Sequence, residues 1–376
     1  MSYAGTSKGG TAAILAAEDL RAADRKRAGI DEIDPAQVAA LMPASIDQLM
    51  GEAGLWDEAM AATALAQAGG DMAEAVHLLR AHRSTMPRLG LSRAMVPDEM
   101  EVLRRVVPAT REPLGPQLLG DTADYSARLL RGPGDDDPLP RTSEMRAVLD
   151  ARVPADPLPD EAPPRYSEVL RGRELLVDRR DPGDPEPADL ALQPVHLPAP
   201  RSAVLSAIAM AETGGLVHLW YRSILGPDGY ANEHVTLGDV RHGRLPVRVT
   251  HPLTGGEVTI GRVRVTDCEC VAHLDERGED ASRFELGYAM ALGRNERKAI
   301  AGSILDLSAS RAEGTREGDA LQQILMLTTD GLASNGFLEH LKLPHYVTFT
   351  SQVDRAMAAR EAQQVVEPAI SGRDER

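Results

Sequence analysis

The order of apolar and polar positions divides this chain into three stretches, residues 1–131, 132–200 and 201–376. In the first stretch apolar residues recur at helical spacing, as at Val76 and Leu79, which predicts one buried stripe. Helix start signals stand nearby, because Asp34 precedes a proline and Asp71 lies three residues before a glutamate. The pattern therefore predicts a helical domain, with helices through most of residues 11–130.

The second stretch is rich in proline and aspartate. It holds fourteen of the 26 prolines of the chain. Since proline lacks a backbone N–H and such segments bury little apolar surface, this composition is typical of a linker or a loosely ordered surface excursion. Short helices are predicted within it over residues 141–152 and 166–176.

The third stretch mixes helix and strand patterns. A helix is predicted over residues 202–212, and the apolar and aromatic run at 216–221 predicts a strand. Leu245 and Val249 belong to an alternating run that includes Pro246, which predicts an edge strand because proline cannot donate to a ladder.

The alternation resumes after a predicted turn at residues 253–257. Its phase changes at Gly261, which predicts a β-bulge. A strand over 284–292 and helices over 295–309 and 319–330 follow. The fold class indicated is α+β: a helical N-terminal half, a Pro/Asp-rich linker, and an antiparallel sheet with packed helices in the C-terminal half.

The charge and composition narrow the function classes. The net charge is −16, which disfavours binding to nucleic acid or anionic membranes by bulk electrostatics. Any anionic substrate must then be held by local arginine and lysine side chains. Neither a signal-peptide pattern nor an uncharged apolar run of about 18 residues is visible, so we expect a cytoplasmic, soluble protein.

Two cysteines, Cys268 and Cys270, are the whole thiol content. Their spacing places them on one face of a strand, where a disulfide between them is not expected. We interpret them as reduced thiols; the alternative is a pair of metal ligands that others would complete.

His340 and His345 form the first candidate site. Imidazole is the commonest metal ligand in proteins, and Pro344 turns the chain between the two rings, so that both can converge on one ion. The alternative is two histidines with ordinary structural partners, because two ligands do not complete a zinc site.

Cationic side chains form the second group of candidates. Arg297 and Lys298 follow Gly293 at a predicted helix start, where an anion would offset their opposition to the helix dipole. The alternative is a solvated face paired with Glu296. Arg80 and Arg83 share one helix face. Gln117 lies in a turn-rich segment that by itself indicates little.

Several segments together resemble one family, the carbon–phosphorus lyase core subunit PhnI, a component of α-D-ribose 1-methylphosphonate 5-triphosphate synthase. The segments occur in family order over residues from about 5 to 350, and the last of them is the most specific: Lys8-Gly9-Gly10, Leu78-Leu79-Arg80-Ala81-His82-Arg83, Gln117-Leu118-Leu119-Gly120, Asp124-Tyr125, Glu296-Arg297-Lys298-Ala299 and His340-Leu341-Lys342-Leu343-Pro344-His345-Tyr346-Val347. The resemblance is weak over 132–200, and Cys270 departs from the family pattern.

The resemblance implies a transferase reaction. A phosphonate replaces the purine of MgATP or MgGTP at ribose C1′, giving a ribose 1-phosphonate 5-triphosphate, and the subunit alone would act as a purine nucleosidase. The triphosphate needs arginine, lysine and helix N-terminal amides. The resemblance assigns substrate binding and metal binding to these candidates: Arg80, Arg83, Gln117, Arg297 and Lys298 for the substrate, and His340 and His345 for a divalent metal such as zinc. It identifies no general acid for the purine.

The resemblance also implies partners, namely the other core subunits, including an iron–sulfur radical subunit, in a hetero-oligomer. Two alternatives remain open. The chain could be a non-catalytic scaffold that binds metal and partners in the same complex. It could also be an unrelated hydrolase that attacks the phosphates and leaves the purine attached.

Overall fold

The computed structural model of the protein describes the following parts of the chain: residues 10–27, 29, 33–120, 163–177, 188–190, 193–194, 196–225, 235–274, 282–327, 329 and 347–371, the last with side chains over 352–364. The chain forms two compact units. One comprises residues 1–33 with 332–376, and the other comprises residues 34–331.

The described helices are numbered in chain order: α1 (Gly10–Arg27), α2 (Pro35–Leu41), α3 (Pro43–Ala53), α4 (Glu58–Gln67), α5 (Met72–Thr85), α6 (Tyr166–Gly172), α7 (Arg201–Met210), α8 (Thr213–Leu225), α9 (Glu296–Arg311), α10 (Arg316–Leu327) and α11 (Val347–Ser371). The strands are β1 (Glu101–Val106), β2 (Thr236–Thr250), β3 (Glu257–His273) and β4 (Phe284–Leu292). Helices α1 and α11 belong to the first unit, and the other elements belong to the second.

Two aspartates begin their helices as the sequence predicts. The Asp34 carboxylate accepts a hydrogen bond from the amide of Ala36 at 2.9 Å. The Asp71 carboxylate accepts from the amides of Ala73 and Glu74 at 3.0 and 3.1 Å. Because these amides have no partner within their own helices, the two caps fix the starts of α2 and α5.

The strands form one antiparallel sheet in the order β1-β2-β3-β4. Opposite β2, Val247 pairs with Gly261 and Arg248 with Thr259, so one residue of β3 is extra; this confirms the predicted bulge. Pairing of β1 with β2 ends at Arg244, and Pro246 therefore lies where β2 has become an edge strand, as predicted.

The two faces of the sheet differ in chemistry. One face packs against α9 through apolar and thiol side chains: Val240, Cys268, Cys270, Ala299, Ile304 and Leu307. The other face carries buried charged side chains and is approached by the segment that begins at Arg165 and continues into α6.

The α+β class is confirmed, and so are the short helix near 166–176 and the strand over 284–292. Two local expectations are wrong. Residues 216–221, expected as a strand, lie in helix α8, and Glu101–Val106, expected within helices, is strand β1. The helix expected over 141–152 lies outside the described residues.

No single helix in the described part of the chain is long and apolar enough to cross a membrane. The helical segments Arg201–Met210 and Thr213–Arg222 are long and apolar enough only when taken together, and the chain bends by 118° between them.

Candidate functional site

The first turn of α9 is built by a tight turn and a side-chain cap. Gly293 has φ of +75°, and a Cβ there would lie 2.7 Å from Cβ of Asp47. Glycine alone fits such a left-handed, crowded position at little cost. Asn295 then caps the helix, its side-chain oxygen accepting from the amide of Lys298 at 3.2 Å.

Asp47, on α3, holds this turn from the opposite side. Its carboxylate accepts from the amide of Arg294 at 2.8 Å and from Nη2 of Arg264 at 2.7 Å. Asp47 is 4% exposed, so both bonds form away from bulk water. The helical region and the sheet therefore meet at the start of α9.

We call Arg104, Arg294, Glu296 and Arg297 the Arg104 cluster. The Glu296 carboxylate pairs with Nε of Arg104 at 3.3 Å and with Nε of Arg294 at 3.1 Å. Arg297 is exposed and has no ion-pair partner among the described residues. Among the described residues, two guanidinium groups thus pair with Glu296 at a helix N-terminus, and Arg297 follows it in the same turn, an arrangement suited to an anion.

The cluster also contacts the loop that contains Gln117. Arg104 donates through Nη1 to the carbonyl of Leu119. The segments 117–120 and 296–298, far apart in the sequence, are therefore brought together through Arg104. The Gln117 side chain itself accepts from the amide of Val107 at 3.0 Å, which holds the loop against the end of β1.

His242, on β2, is paired with Arg104 of β1 on the face of the sheet that α9 covers. It is 7% exposed. Its Nδ1 lies 3.1 Å from the hydroxyl of Thr266. Burial lowers the pKa of His242, while the carboxylates of Glu296 and Asp47 act in the opposite direction. The imidazole is therefore neutral near pH 7.

Arg80 and Arg83, predicted to bind substrate, lie at the end of α3. Arg80 donates through Nε and Nη2 to the carbonyl of Glu52 at 3.1 and 2.7 Å, and Arg83 donates through Nη1 to the carbonyl of Ala53 at 2.7 Å. These carbonyls are among those that a helix C-terminus leaves without partners. Burial lowers the pKa of Arg83. In this conformation the two arginines cap α3.

Lys298 is fully buried, with 0% exposure. Its Nζ donates to the carbonyl of Ala209 at 2.9 Å, next to Met210, whose carbonyl accepts from Arg80 at 3.0 Å. The end of α7 thus joins Lys298 and Arg80. Of the four cations among the five predicted substrate-binding residues, Arg297 is the one that is exposed.

His340 and His345 lie outside the described residues, and their predicted role stays a prediction. Thr329 is the last residue described before them; its carbonyl accepts from the amide of Glu212 at 2.9 Å. Within the described ranges, no group of three or more histidine, cysteine, aspartate or glutamate side chains is arranged to hold a metal.

Cys268 and Cys270 are buried and not bonded to each other, as expected. Burial raises the pKa of both thiols, that of Cys270 to about 12. The hydroxyl of Ser303 donates to Sγ of Cys268 at 3.4 Å, and Sγ of Cys270 donates to the carbonyl of Ser303 at 3.2 Å. They are protonated packing residues.

The sequence reasoning missed a buried ion-pair network on the other face of the sheet. Arg165 contacts Asp267 at 3.1 Å and Glu269 at 2.7 Å, and Arg241 contacts Asp267 at 2.7 Å. Asp267 and Glu269 alternate with the two cysteines along β3. In a strand this alternation places the carboxylates on the face opposite the thiols, and it could have indicated the network from the sequence.

Asp239 is the least satisfied member of that network. Its Oδ2 lies 3.2 Å from Nε of Arg105, while Oδ1 is enclosed and has no hydrogen-bond partner among the described residues. Burial raises the pKa of Asp239, and it also raises the pKa of Glu269. Because α6 covers this face, we place the candidate site at the Arg104 cluster and not here.

Comparison with known proteins agrees with the resemblance in the sequence motifs. Residues 4–363 match the family model described as bacterial phosphonate metabolism protein (PhnI). The chain is 36% identical over 369 residues to HtxH of Stutzerimonas stutzeri, provisionally named a C-P lyase subunit protein, with 94% of this chain and 95% of that protein covered.

Two further relatives carry a more specific name. Both are called alpha-D-ribose 1-methylphosphonate 5-triphosphate synthase subunit PhnI. The protein of Rhizobium meliloti (strain 1021) is 36% identical, covering 92% of each chain. That of Escherichia coli (strain K12) is 33% identical, covering 92% of this chain and 95% of its own. Because the family model matches residues 4–363 of this chain, the chain belongs to the PhnI family.

Proposed function

We propose that the chain is a subunit of the α-D-ribose 1-methylphosphonate 5-triphosphate synthase of C–P lyase phosphonate metabolism, and that it displaces the purine of ATP or GTP by a phosphonate. The observation that carries this proposal is the similarity over 92% of the chain to two proteins of that name. The product named has a phosphonate at C1 and a triphosphate at C5 of ribose. A nucleoside triphosphate that exchanges its base for a phosphonate would give this product.

The Arg104 cluster supports the proposal as the place for the triphosphate. Arg104 and Arg294 share Glu296, and Arg297 adds an exposed guanidinium in the same helical turn. Charge-assisted hydrogen bonds from guanidinium groups to phosphate oxygens are among the stronger ones in proteins. The amides of a helix N-terminus favour negative charge as well. With the triphosphate held there, the ribose and its C1′ would be positioned beyond it.

We also propose that His340 and His345 contribute to a divalent metal site, with zinc as the candidate. A metal would offset the charge of the phosphonate when bound. Two histidines do not complete the coordination of a metal ion, so further ligands would come from the substrate, water or another subunit. The spacing of His340 and His345 around Pro344 supports this proposed metal site.

The test is chromatography of free purine, using the chain assembled with its partner subunits, MgATP or MgGTP, and methylphosphonate. Arg297→Ala is the informative variant, and Arg316→Ala, another exposed arginine in the first turn of a helix, is the matched control. We expect Arg297→Ala to raise KM for the nucleotide about tenfold or more, because a hydrogen bond to a charged group contributes about 1.5–3 kcal/mol. Arg316→Ala should leave KM unchanged. Release of phosphate, with the purine still attached, would contradict the proposal and favour a phosphate-attacking hydrolase.

One observation favours the second candidate, a non-catalytic scaffold. Arg80, Arg83 and Lys298 donate to backbone carbonyls, and Gln117 accepts from a backbone amide, so four predicted substrate residues have architectural roles in this conformation. A scaffold predicts that a complex containing the double variant His340→Ala, His345→Ala and a complex containing Arg297→Ala both release purine at the wild-type rate.

A further inference from the structure

The hydrogen bonds around Thr266 determine which nitrogen of His242 carries the proton. The Thr266 hydroxyl has one hydrogen, which it donates to the carbonyl of Gly293 at 2.8 Å, and it accepts from the amide of Asn295 at 3.0 Å. Its contact with Nδ1 of His242 at 3.1 Å therefore requires Nδ1–H as the donor. In the neutral ring the lone pair is then on Nε2.

Nε2 itself has no hydrogen-bond partner among the residues that the structure describes. His242 is 93% buried, since 7% of its surface is exposed. A buried imidazole with a fixed tautomer and an open lone pair is arranged to accept a proton.

The charged groups that face His242 come from four elements and one turn. They are Arg104 of β1, Arg264 of β3, Asp47 of α3, Glu296 of α9 and Arg294 of the turn before α9. Burial lowers the pKa of the ring, Glu296 and Asp47 raise it, and Arg294 and Arg264 lower it. A bound anion would add negative charge to the same surroundings and would raise this pKa further.

We propose that His242 is a proton acceptor whose Nε2 lies beside a phosphate anion bound at the Arg104 cluster. The position of the imidazole follows from its contact with Thr266 and its pairing with Arg104. The reaction that the anion and the imidazole serve rests on the proposed function. In that reaction the triphosphate occupies the Arg104 cluster, and Nε2, next to it, takes the proton of a phosphonate monoanion at C1′, or of water when no phosphonate is present. The freed oxygen forms the bond to C1′, and the C1′–N bond breaks with its electrons leaving on the purine, which takes a proton from solvent.

The first experiment needs no turnover. The full chain, with ¹⁵N-labelled histidine, is titrated by NMR with and without inorganic triphosphate, and His242 is assigned by its absence in His242→Asn. We expect triphosphate to raise the pKa of His242 by about one pH unit. The NMR signals of His251, in the turn between β2 and β3, should not move when triphosphate is added at constant pH. Arg297→Ala should weaken the effect of triphosphate. A His242 titration that triphosphate leaves unchanged overturns the proposal.

The second experiment measures purine release by the assembled complex as a function of pH. His242→Asn keeps a side-chain N–H that can reach Thr266 but has no titratable nitrogen. We expect kcat to fall about 100-fold or more, as for loss of a general base. The wild-type decline in activity below the pKa of His242 should disappear in the variant. Thr266→Val should lower kcat by freeing the tautomer, and Thr266→Ser, which keeps the hydroxyl, should retain it.

The outcomes separate this inference from the proposed function. Purine release by wild type and His242→Asn at equal rates, with one pH profile, removes His242 from the chemistry and leaves the function standing. No purine from the wild-type complex refutes the function, and the NMR titration then decides alone whether His242 faces a bound anion. If His242→Asn does not fold, the Thr266→Val and Thr266→Ser variants and the titration of the wild type still test the role of His242.

Discussion

Lys298 and Arg297 are neighbours in the sequence, but their surroundings give them different roles. Lys298 is fully buried and donates to the carbonyl of Ala209, while Arg297 faces solvent. A buried cation that lost its hydrogen-bond partners would be costly, so Lys298 is bound to the framework that surrounds it. At the scale of single residues, burial decides which of the predicted cations can reach a substrate without rearrangement.

Asp239 gives a prediction of the same kind for a carboxylate. Burial raises its folded-state pKa, while the neighbouring Arg105 acts in the opposite direction. A raised folded pKa means that stability is highest below the unfolded pKa of about 3.9 and is lost as the pH rises through the folded value. We expect Asp239→Asn, which cannot ionise, to gain stability relative to wild type between pH 4 and pH 8, measured as the free energy of unfolding in urea.

The size of this gain in stability depends on Oδ1 of Asp239, which is enclosed and has no hydrogen-bond partner among the described residues. Leaving a buried polar group without a partner costs about 1–3 kcal/mol, and more if it is charged. Asp319→Asn, at an exposed position of α10, is the control and should follow the wild-type pH dependence. A constant difference between Asp239→Asn and wild type over this pH range would contradict the argument.

At the scale of elements, the position of α9 on the sheet depends on glycines. A Cβ at Gly287 of β4 would lie 2.2 Å from the carbonyl oxygen of Ser303 and 2.7 Å from Sγ of Cys270. A Cβ at Gly302 of α9 would lie 2.5 Å from Cγ2 of Ile208. Because all three distances are below van der Waals contact, α9 approaches strand β4 and helix α7 closely only without side chains at these two glycines. The same helix carries Asn295 and Glu296, so its seating also places the Arg104 cluster.

Gly287→Ala should therefore destabilise the protein by about 1–3 kcal/mol, the usual cost of overfilling a packed core. Gly261→Ala is the matched control, since a Cβ at this strand glycine would meet nothing within 4 Å. The measurement is chemical unfolding of both variants beside the wild type. Equal stability of Gly287→Ala and Gly261→Ala would show that α9 shifts freely on the sheet.

At the scale of the whole molecule, the net charge and the local site have opposite signs. The chain carries a net charge of −16, yet the Arg104 cluster comprises three arginines and one glutamate, which pairs with Arg104 and Arg294. Salt screens exposed charges beyond about 8 Å at 0.15 M ionic strength. A small anion close to the arginines is therefore attracted by them, whereas a long polyanion meets the repulsion of the whole surface.

We expect the purified chain to pass through a heparin column without retention at 0.15 M salt and to leave duplex DNA unshifted in a gel. Inorganic triphosphate should still bind, as measured by calorimetry. Retention on heparin that falls steeply with added salt would reveal an extended basic surface and would contradict this expectation.

Local signals identified the elements that short-range chemistry determines. Asp34 and Asp71 predicted helix starts, and the change of phase at Gly261 predicted the bulge, because caps and alternation act within a few residues. Residues 216–221 were misread because their β-branched and aromatic side chains favour strands in isolation. In the structure the Glu212 carboxylate accepts from the amides of Gly214 and Gly215 and so caps the start of a helix instead.

Strand β1 was missed because its partner is distant in the sequence. Arg105 pairs with Arg241, and the pairing satisfies backbone groups that a six-residue segment alone could not satisfy. The same distance hid His242 and Arg104 as site residues. Neither belongs to a motif, and they become neighbours only when β1 joins β2.

The sequence by itself determined the α+β class, the family motifs, the reduced thiols and the starts of several helices, because periodicity, composition and caps are local properties. The tertiary structure decided that Lys298 and Arg80 bind carbonyls while Arg297 faces solvent. It also decided that His242 lies beside Arg104 in the sheet, with its Nδ1 at the hydroxyl of Thr266. Burial and long-range pairing set these roles, since both depend on which distant residues surround a side chain and not on its neighbours in the chain.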